Sequence, residues 1–160
     1  MSGIQALLMV LESAEKERDD AVSSLESARQ AHESARQQAQ SLHDWRQDYQ
    51  RRWQAQFQQS GGVEIIRCYQ DFIQRLSDAV TEQDRRVSLC EQQVARCRAQ
   101  LIERERRVAA VSQLIDRREA ELQLKRNRQE QKATDEMAAR SVRLRQEIGA
   151  SSADLASGSL

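Results

Sequence analysis

Proline is absent from the 160 residues, and glycine occurs only five times. With so few breakers, long uninterrupted helices are possible over most of the chain. Aromatics are also scarce, at two Trp, two Tyr and two Phe. The three cysteines, Cys68, Cys90 and Cys97, are an odd number with no framework spacing, which argues against a disulfide scaffold. No apolar run approaches the ~20 residues of a membrane span. The apolar start, "IQALLMVL", lacks the basic flank and cleavage site of a secretory leader. Neither sign of charge dominates, because 25 basic residues balance 25 acidic ones. No global field therefore points to nucleic acid or to an anionic membrane surface. A soluble, cytoplasmic protein is expected.

What remains is rich in Ala, Gln, Glu, Arg and Leu, with 31% of residues charged. That is the bias of long helices and coiled coils. From Ile66, alternate steps of three and four residues land on Tyr69, Ile73, Leu76, Val80, Gln83, Val87, Cys90, Val94, Cys97, Leu101, Arg104, Val108, Val111, Ile115, Arg118 and Leu122. About eight heptads hold this register, against the three or four that establish a coiled coil. Earlier in the chain the same steps give Leu11, Ala14, Arg18, Ala21, Leu25, Ala28, His32, Ala35, Ala39, Leu42, Arg46, Tyr49 and Trp53. This second seam is alanine-rich and suits a partner helix that approaches closely.

Between the two seams stands "FQQSGGVEII", with Gly61 and Gly62 side by side. The simplest structure is all-α: a long two-helix antiparallel coiled-coil hairpin. Its helices cover residues 3–58 and 63–148, with a turn at 59–62 and a C-terminal overhang of the second helix. Gly at the reversal supplies a positive φ without strain. A turn at Gly61 pairs residues whose numbers add to about 122. Trp53 then meets Tyr69, Ala35 meets Val87, Ala28 meets Val94 and Leu25 meets Cys97. Small faces large in many layers. Arg18 facing Arg104 is the exception, and both must reach Glu15, Glu17, Glu103 or water. A parallel homodimer would use the same heptads but leaves the glycine pair unexplained.

The second helix is the longer, and the first covers it only to about Arg118. Beyond Leu122 the seam positions become Lys125, Gln129, Lys132, Glu136 and Arg143. Met137, Leu144 and Ile148 form a new short stripe. Such a helix either frays or docks on something. Residues 149–160 read as one disordered tail beyond a single coiled-coil domain.

Chemistry is sparse. No phosphate loop, nucleophile motif or metal-ligand spacing occurs, so no enzyme and no cofactor or metal is expected. His32 falls opposite Cys90 in the seam, where an imidazole that fills space is the simpler account than a ligand. His43 reads as exposed. All six aromatics cluster about the turn. Trp45 and Phe72 fall beside the seam rather than in it, on one face with Gln38 and Ala79. An exposed aromatic patch of this kind marks a partner surface.

The stretches "LHDWRQDYQRRW" and "RCYQDFIQRLSDAV", with Trp45, Tyr49, Tyr69, Gln70, Phe72, Ile73 and Leu76, resemble the FliJ family of the bacterial flagellar export apparatus. The start "LLMVLESAEKERDDAV" and the segment "NRQEQKATDEMAARS" resemble that family's first helix and C-terminal motif. The resemblance implies a central stalk within the hexameric export ATPase, FliI. It also implies contact with the cytoplasmic domain of the export gate protein FlhA. The gate-binding surface implied is Gln38, Leu42, Trp45, Tyr49, Phe72, Leu76, Ala79 and Gln83. Trp45 stands where relatives have Tyr, and Gln83 where they have His. The ATPase-binding residues implied are Leu7, Leu11, Gln131, Lys132, Asp135, Glu136, Met137 and Arg140. Export chaperones are a further implied partner, and the place implied is cytoplasmic, peripheral to the inner-membrane export apparatus. Two alternatives stay open: the equivalent stalk of a virulence type III secretion system, and a generic coiled-coil scaffold.

Overall fold

A computed structural model describes residues 3–57 and 62–158. It holds two helices, α1 (Gly3–Phe57) and α2 (Val63–Ser157), with no strand among the described residues. The chain divides into two compact units, Val10–Ala110 and Met1–Met9 with Val111–Leu160. One continuous domain over 1–148 was the expectation.

In the unit Val10–Ala110 the helices pack antiparallel. Tyr49 meets Tyr69 and Phe72, His43 meets Asp84, and Glu17 meets Arg104 and Arg107. Higher numbers on α2 thus answer lower numbers on α1, as an antiparallel hairpin requires. The buried residues of this unit are the seam positions of the heptad reading. On α1 they are Ala14, Ala21, Leu25, Ala28, Ala35 and Ala39; on α2 they are Val80, Gln83 and Cys97. Leu25, Ala28 and Cys97 form one cluster, with Val94 and Leu101 packed against it. Alanine brings the helix axes together, and the larger Val, Leu and Cys of α2 fill the layer.

The Arg18–Arg104 layer resolves by divergence. Arg104 and Arg107 both reach one Glu17 oxygen at 3.0 Å. Arg18 turns to its neighbour Asp19 at 3.1 Å, a partner absent from the sequence expectation.

At the reversal, Gly62 accepts a hydrogen bond from the Ile66 N–H at 3.2 Å. It is therefore the N-cap of α2, a position that Gly fills with little penalty. No described glycine has a positive φ, so the expected left-handed conformation is not found at Gly62. A Cβ there would meet only the Ile65 side chain, at ordinary contact distance. Gln58, Gln59, Ser60 and Gly61 lie outside the described residues.

In the other unit, Ile4 and Leu7 are half-buried and Ile115 is buried at 6% exposed. A Cβ added at Gly3 would lie 3.8 Å from the Arg118 guanidinium. From Asp116 to Gly158 every residue is exposed. Here α2 departs from the sequence expectation, because it runs through Ser157 rather than ending at 148. The segment after Gly149 holds no proline and is mostly Ala and Ser. Ser152 donates back to the Gly149 carbonyl at 3.0 Å, and Ser157 to the Asp154 carbonyl at 3.2 Å. Such local bonds occupy serine hydroxyls without interrupting the helix.

Candidate functional site

The aromatic residues near the reversal come from facing turns of α1 and α2. Tyr49, at a seam position, is the hub. Its ring centroid lies 4.4 Å from Phe72, 6.0 Å from Tyr69 and 6.3 Å from Trp53. Trp53 and Tyr69 stand 4.6 Å apart, the layer that the heptads pair. The tilted and stacked geometries favour edge and offset contacts between the ring quadrupoles. The cluster therefore stiffens the hairpin near its turn.

Trp45 and Phe72 are not spent on this lock alone. Trp45 is 64% exposed, makes no ring contact among the described residues, and lies beside the seam. Phe72 is 45% exposed while one side of its ring packs on Tyr49. The sequence reading set Phe72 beside the seam; it serves both the aromatic lock and the surface. Trp45, Tyr49, Phe72 and Leu76, with Asp48 and Arg52, line an open groove of about 400 Å³. A second groove, about 570 Å³, runs on from Trp45 past Leu42 and Gln38 to Gln83. The structure thus brings together seven of the eight residues implied for gate binding, Ala79 excepted, around two grooves that share Trp45. Ala79 is exposed at the same heptad position as Phe72.

Gln83 differs from the others in this set. It is only 6% exposed and its amide is turned into the seam. Its Nε2 donates to the Ala35 carbonyl at 3.0 Å and to Gln38 Oε1 at 3.3 Å. The carbonyl of an alanine on a closely packed helix is open to a second donor, which a larger side chain would screen.

Both histidines sit between the helices. His43 is half-buried, not exposed as the sequence suggested. Its Nε2 lies 3.1 and 3.2 Å from the two Asp84 carboxylate oxygens, while Arg46 donates to its Nδ1 at 3.4 Å. An arginine can only donate, so Nδ1 is the accepting nitrogen of the Arg46 contact. His32 Nε2 is 3.5 Å from Glu91 without a hydrogen bond. Cys97 is buried in the seam and accepts a long bond from Gln93 Nε2 at 3.6 Å; Cys90 is half-buried and Cys68 exposed. Among the described residues no three His, Cys, Asp or Glu side chains converge to hold a metal.

The residues implied for ATPase binding are dispersed. Leu11 is half-buried in the unit Val10–Ala110. In the other unit Leu7 is half-buried, whereas Gln131, Lys132, Asp135, Glu136, Met137 and Arg140 are all exposed. Gln131 lies about 20 Å along α2 from Arg118, the residue beside Gly3. Leu7 and the 131–140 segment therefore do not form one contiguous patch. No helix of the described residues is long and apolar enough to cross a membrane.

Sequence reasoning placed the seam and the aromatic face but missed the inward turn of Gln83 and the His43–Asp84 pair. A signal for the pair was present: His43 and Asp84 each directly follow a seam residue, on the same side of the hairpin.

The family model described as "Flagellar FliJ protein" matches residues 3–147. No curated protein and no solved structure matches the chain.

Proposed function

The chain belongs to the FliJ family of flagellar proteins, and from that premise we propose that it is the non-enzymatic central stalk of the flagellar export ATPase. It promotes assembly and activity of the FliI ring and couples it to the export gate protein FlhA. The observation that carries this reading is the exposed helix after Asp116. Met137, Val142, Leu144 and Ile148 are each more than half exposed there. No residue after Arg107 forms an ion pair among the described residues. A helix so furnished gains by docking. It offers apolar and charged groups to a ring wall through Gln131, Lys132, Asp135, Glu136, Met137 and Arg140.

The second contact is the aromatic face of the unit Val10–Ala110. Trp45 and Phe72 supply two half-exposed rings on a floor made rigid by Tyr49, the arrangement of an interface anchor. FlhA is the partner proposed for this face, and the protein acts at the cytoplasmic side of the membrane as a peripheral component. Export chaperones are a secondary partner. The flagellar family match supports this reading over a virulence-system stalk, and a seam already filled within one chain argues against a scaffold that self-associates through it.

The action is allosteric and involves no chemistry of its own. A stalk that binds the assembled ring more tightly than free subunits shifts the equilibrium toward the ring. The test is the hydrolysis rate of the cognate ATPase as this protein is titrated in. A saturable rise, lost on truncation after Leu122, is expected. An unchanged rate with a ring-competent ATPase overturns the stalk reading.

A further inference from the structure

The overhang of α2 carries a stripe of its own. From Met137, alternate steps of four and three residues land on Ser141, Leu144, Ile148, Ser151 and Leu155. Met137, Leu144, Ile148 and Leu155 are each more than half exposed. Met137 and Leu144 directly follow the seam positions Glu136 and Arg143, so this stripe is turned about 100° from the seam. It is a coiled-coil face that lies wholly within one compact unit, and nothing covers it there.

The side chains along the stripe follow nearly the same order from either end. Met137, Ser141 and Leu144 run inward from one end, and Leu155, Ser151 and Ile148 from the other. Two copies laid antiparallel about a two-fold axis near Gln146 therefore match layer by layer. Met137 meets Leu155 of the second copy, Ser141 meets Ser151, and Leu144 meets Ile148. Each layer occurs twice, as a self-complementary contact requires. Glu147, Ile148, Ser151, Ser152 and Leu155 line a shallow depression of about 380 Å³. Ile148, Ser151, Ser152 and Leu155 have the spacing of the four-residue hole that receives a facing side chain. In this register that side chain is Ser141 of the second copy.

Charge sets the direction. In the antiparallel pair Arg140 faces Asp154 of the second copy, and the two-fold repeats the contact. A parallel pair would instead set Arg140 against Arg145 on both flanks. Two like-charge contacts oppose the antiparallel pair, because Glu147 and Arg145 each face their own counterparts. Arg143 stands one turn before Glu147 and offsets it. The Arg145 side chains are exposed, where like charges cost little. Glu147 and Asp154 beside the stripe also make it a poor match for an anionic lipid surface.

We propose that residues 137–155 bind a second copy of this chain as a short antiparallel coiled coil. It uses no residue of the hairpin seam. About a dozen contact positions per copy fall short of the ~20–30 residues a side of a standard interface, so the dimer is weak and reversible. Met137 and Arg140 also belong to the residues offered to the ATPase ring. On the stalk reading, pairing and ring docking therefore exclude each other, and the dimer is the resting form of the free chain. The pairing itself does not depend on that reading and is measured without the ATPase.

The test is sedimentation equilibrium of the full chain up to high micromolar concentration. A monomer–dimer equilibrium is expected. Leu144→Asp should raise its dissociation constant about tenfold or more, and Leu124→Asp, exposed but off the stripe, should stay within about twofold. Arg140→Asp and Asp154→Arg should each weaken the dimer about threefold, and the double variant should restore it. All four positions are exposed, so the fold is not at risk. A monomer at every concentration, or a dimer indifferent to Leu144→Asp, overturns the proposal. A dimer lost with Leu144→Asp but not restored by the double charge swap overturns the antiparallel arrangement. Retention of a monomeric chain by phosphatidylglycerol vesicles, lost with Leu144→Asp, would assign the stripe to a lipid surface and overturn the second copy.

Discussion

Between Ile66 and Ile115, α2 keeps one residue in every three or four out of water, while from Asp116 to Gly158 it keeps none. Helical form is the same in both stretches; composition along the stripe is not. In the first, Val80, Cys97 and Ile115 are buried, and Cys97 packs with Leu25 and Ala28. In the second, the same heptad positions hold Lys125, Gln129, Lys132 and Glu136, which nothing covers. Helix propensity and the absence of proline carry the backbone through both. Packing distinguishes them, and with it the work each can do. The covered stretch holds a shape, and the uncovered one is available to a partner.

The contrast is broken most completely by removing one half of it. Truncation after Leu122 is expected to abolish stimulation of the export ATPase. The melting of the unit Val10–Ala110, followed by circular dichroism, should be unchanged. A melting point that falls with the truncation would mean that the two stretches are not separable.

Matched charge insertions give the next largest effect. Val80→Asp places a carboxylate where the side chain is 3% exposed, and should cost about 3–4 kcal/mol in denaturant unfolding. Met137→Asp, at 72% exposed, should stay within about 0.5 kcal/mol. Equal effects at the two sites would erase the distinction.

Phe72→Ala sharpens the comparison from the covered side, because Phe72 is both packed and exposed. It should remove about 2 kcal/mol of gate binding, measured by calorimetry, with a smaller loss of stability from the missing Tyr49 contact. Smaller again is Glu17→Gln. That change weakens two bonds to partly exposed arginines and should cost below about 1 kcal/mol, fading in high salt.

Acid gives the smallest effect. Hydrogen bonds from Arg36 hold the Glu33 carboxyl below the usual glutamate value, and Arg85 does the same for Glu82. A depressed folded-state pKa means that the contribution is fully present above the unfolded value of about 4.3 and disappears as pH falls through the folded one. Both pairs lie on exposed helix surface, so only a slight loss of helicity is expected, confined to pH below about 4. A loss centred near neutrality would overturn the assignment to these two pairs.

Much of this was legible in the residues. The three-four stepping from Ile66 to Leu122 and from Leu11 to Trp53 names the buried positions because a heptad fixes which side of a helix is covered. The alanines announce close approach, and the pairing of Trp53 with Tyr69 follows from the glycine break alone. Gln83 was harder to place. The heptad puts it in the seam, but only the open Ala35 carbonyl explains why an amide is buried there. The end of α2 was misjudged because a run of Ser, Ala and Gly with few large apolar residues resembles a tail. Helix formation there needs only compatible backbones and local serine bonds. For Gly62, a glycine at a reversal suggested a left-handed residue, whereas the chain uses it as a cap.

Among the described residues only Ala14, at 1%, is less than 2% exposed, and six of the buried ones are alanine or cysteine. The molecule has seams but no deep interior. Unfolding therefore uncovers little apolar area per residue, and the heat-capacity increment should fall below the ~12–15 cal/mol/K per residue of globular domains. A small increment flattens the dependence of stability on temperature. A calorimetric trace should show a low, broad transition, with the seam opening progressively in place of a single collapse. Resistance to cold would follow from the same flatness, since little hydrophobic hydration is at stake when the temperature falls.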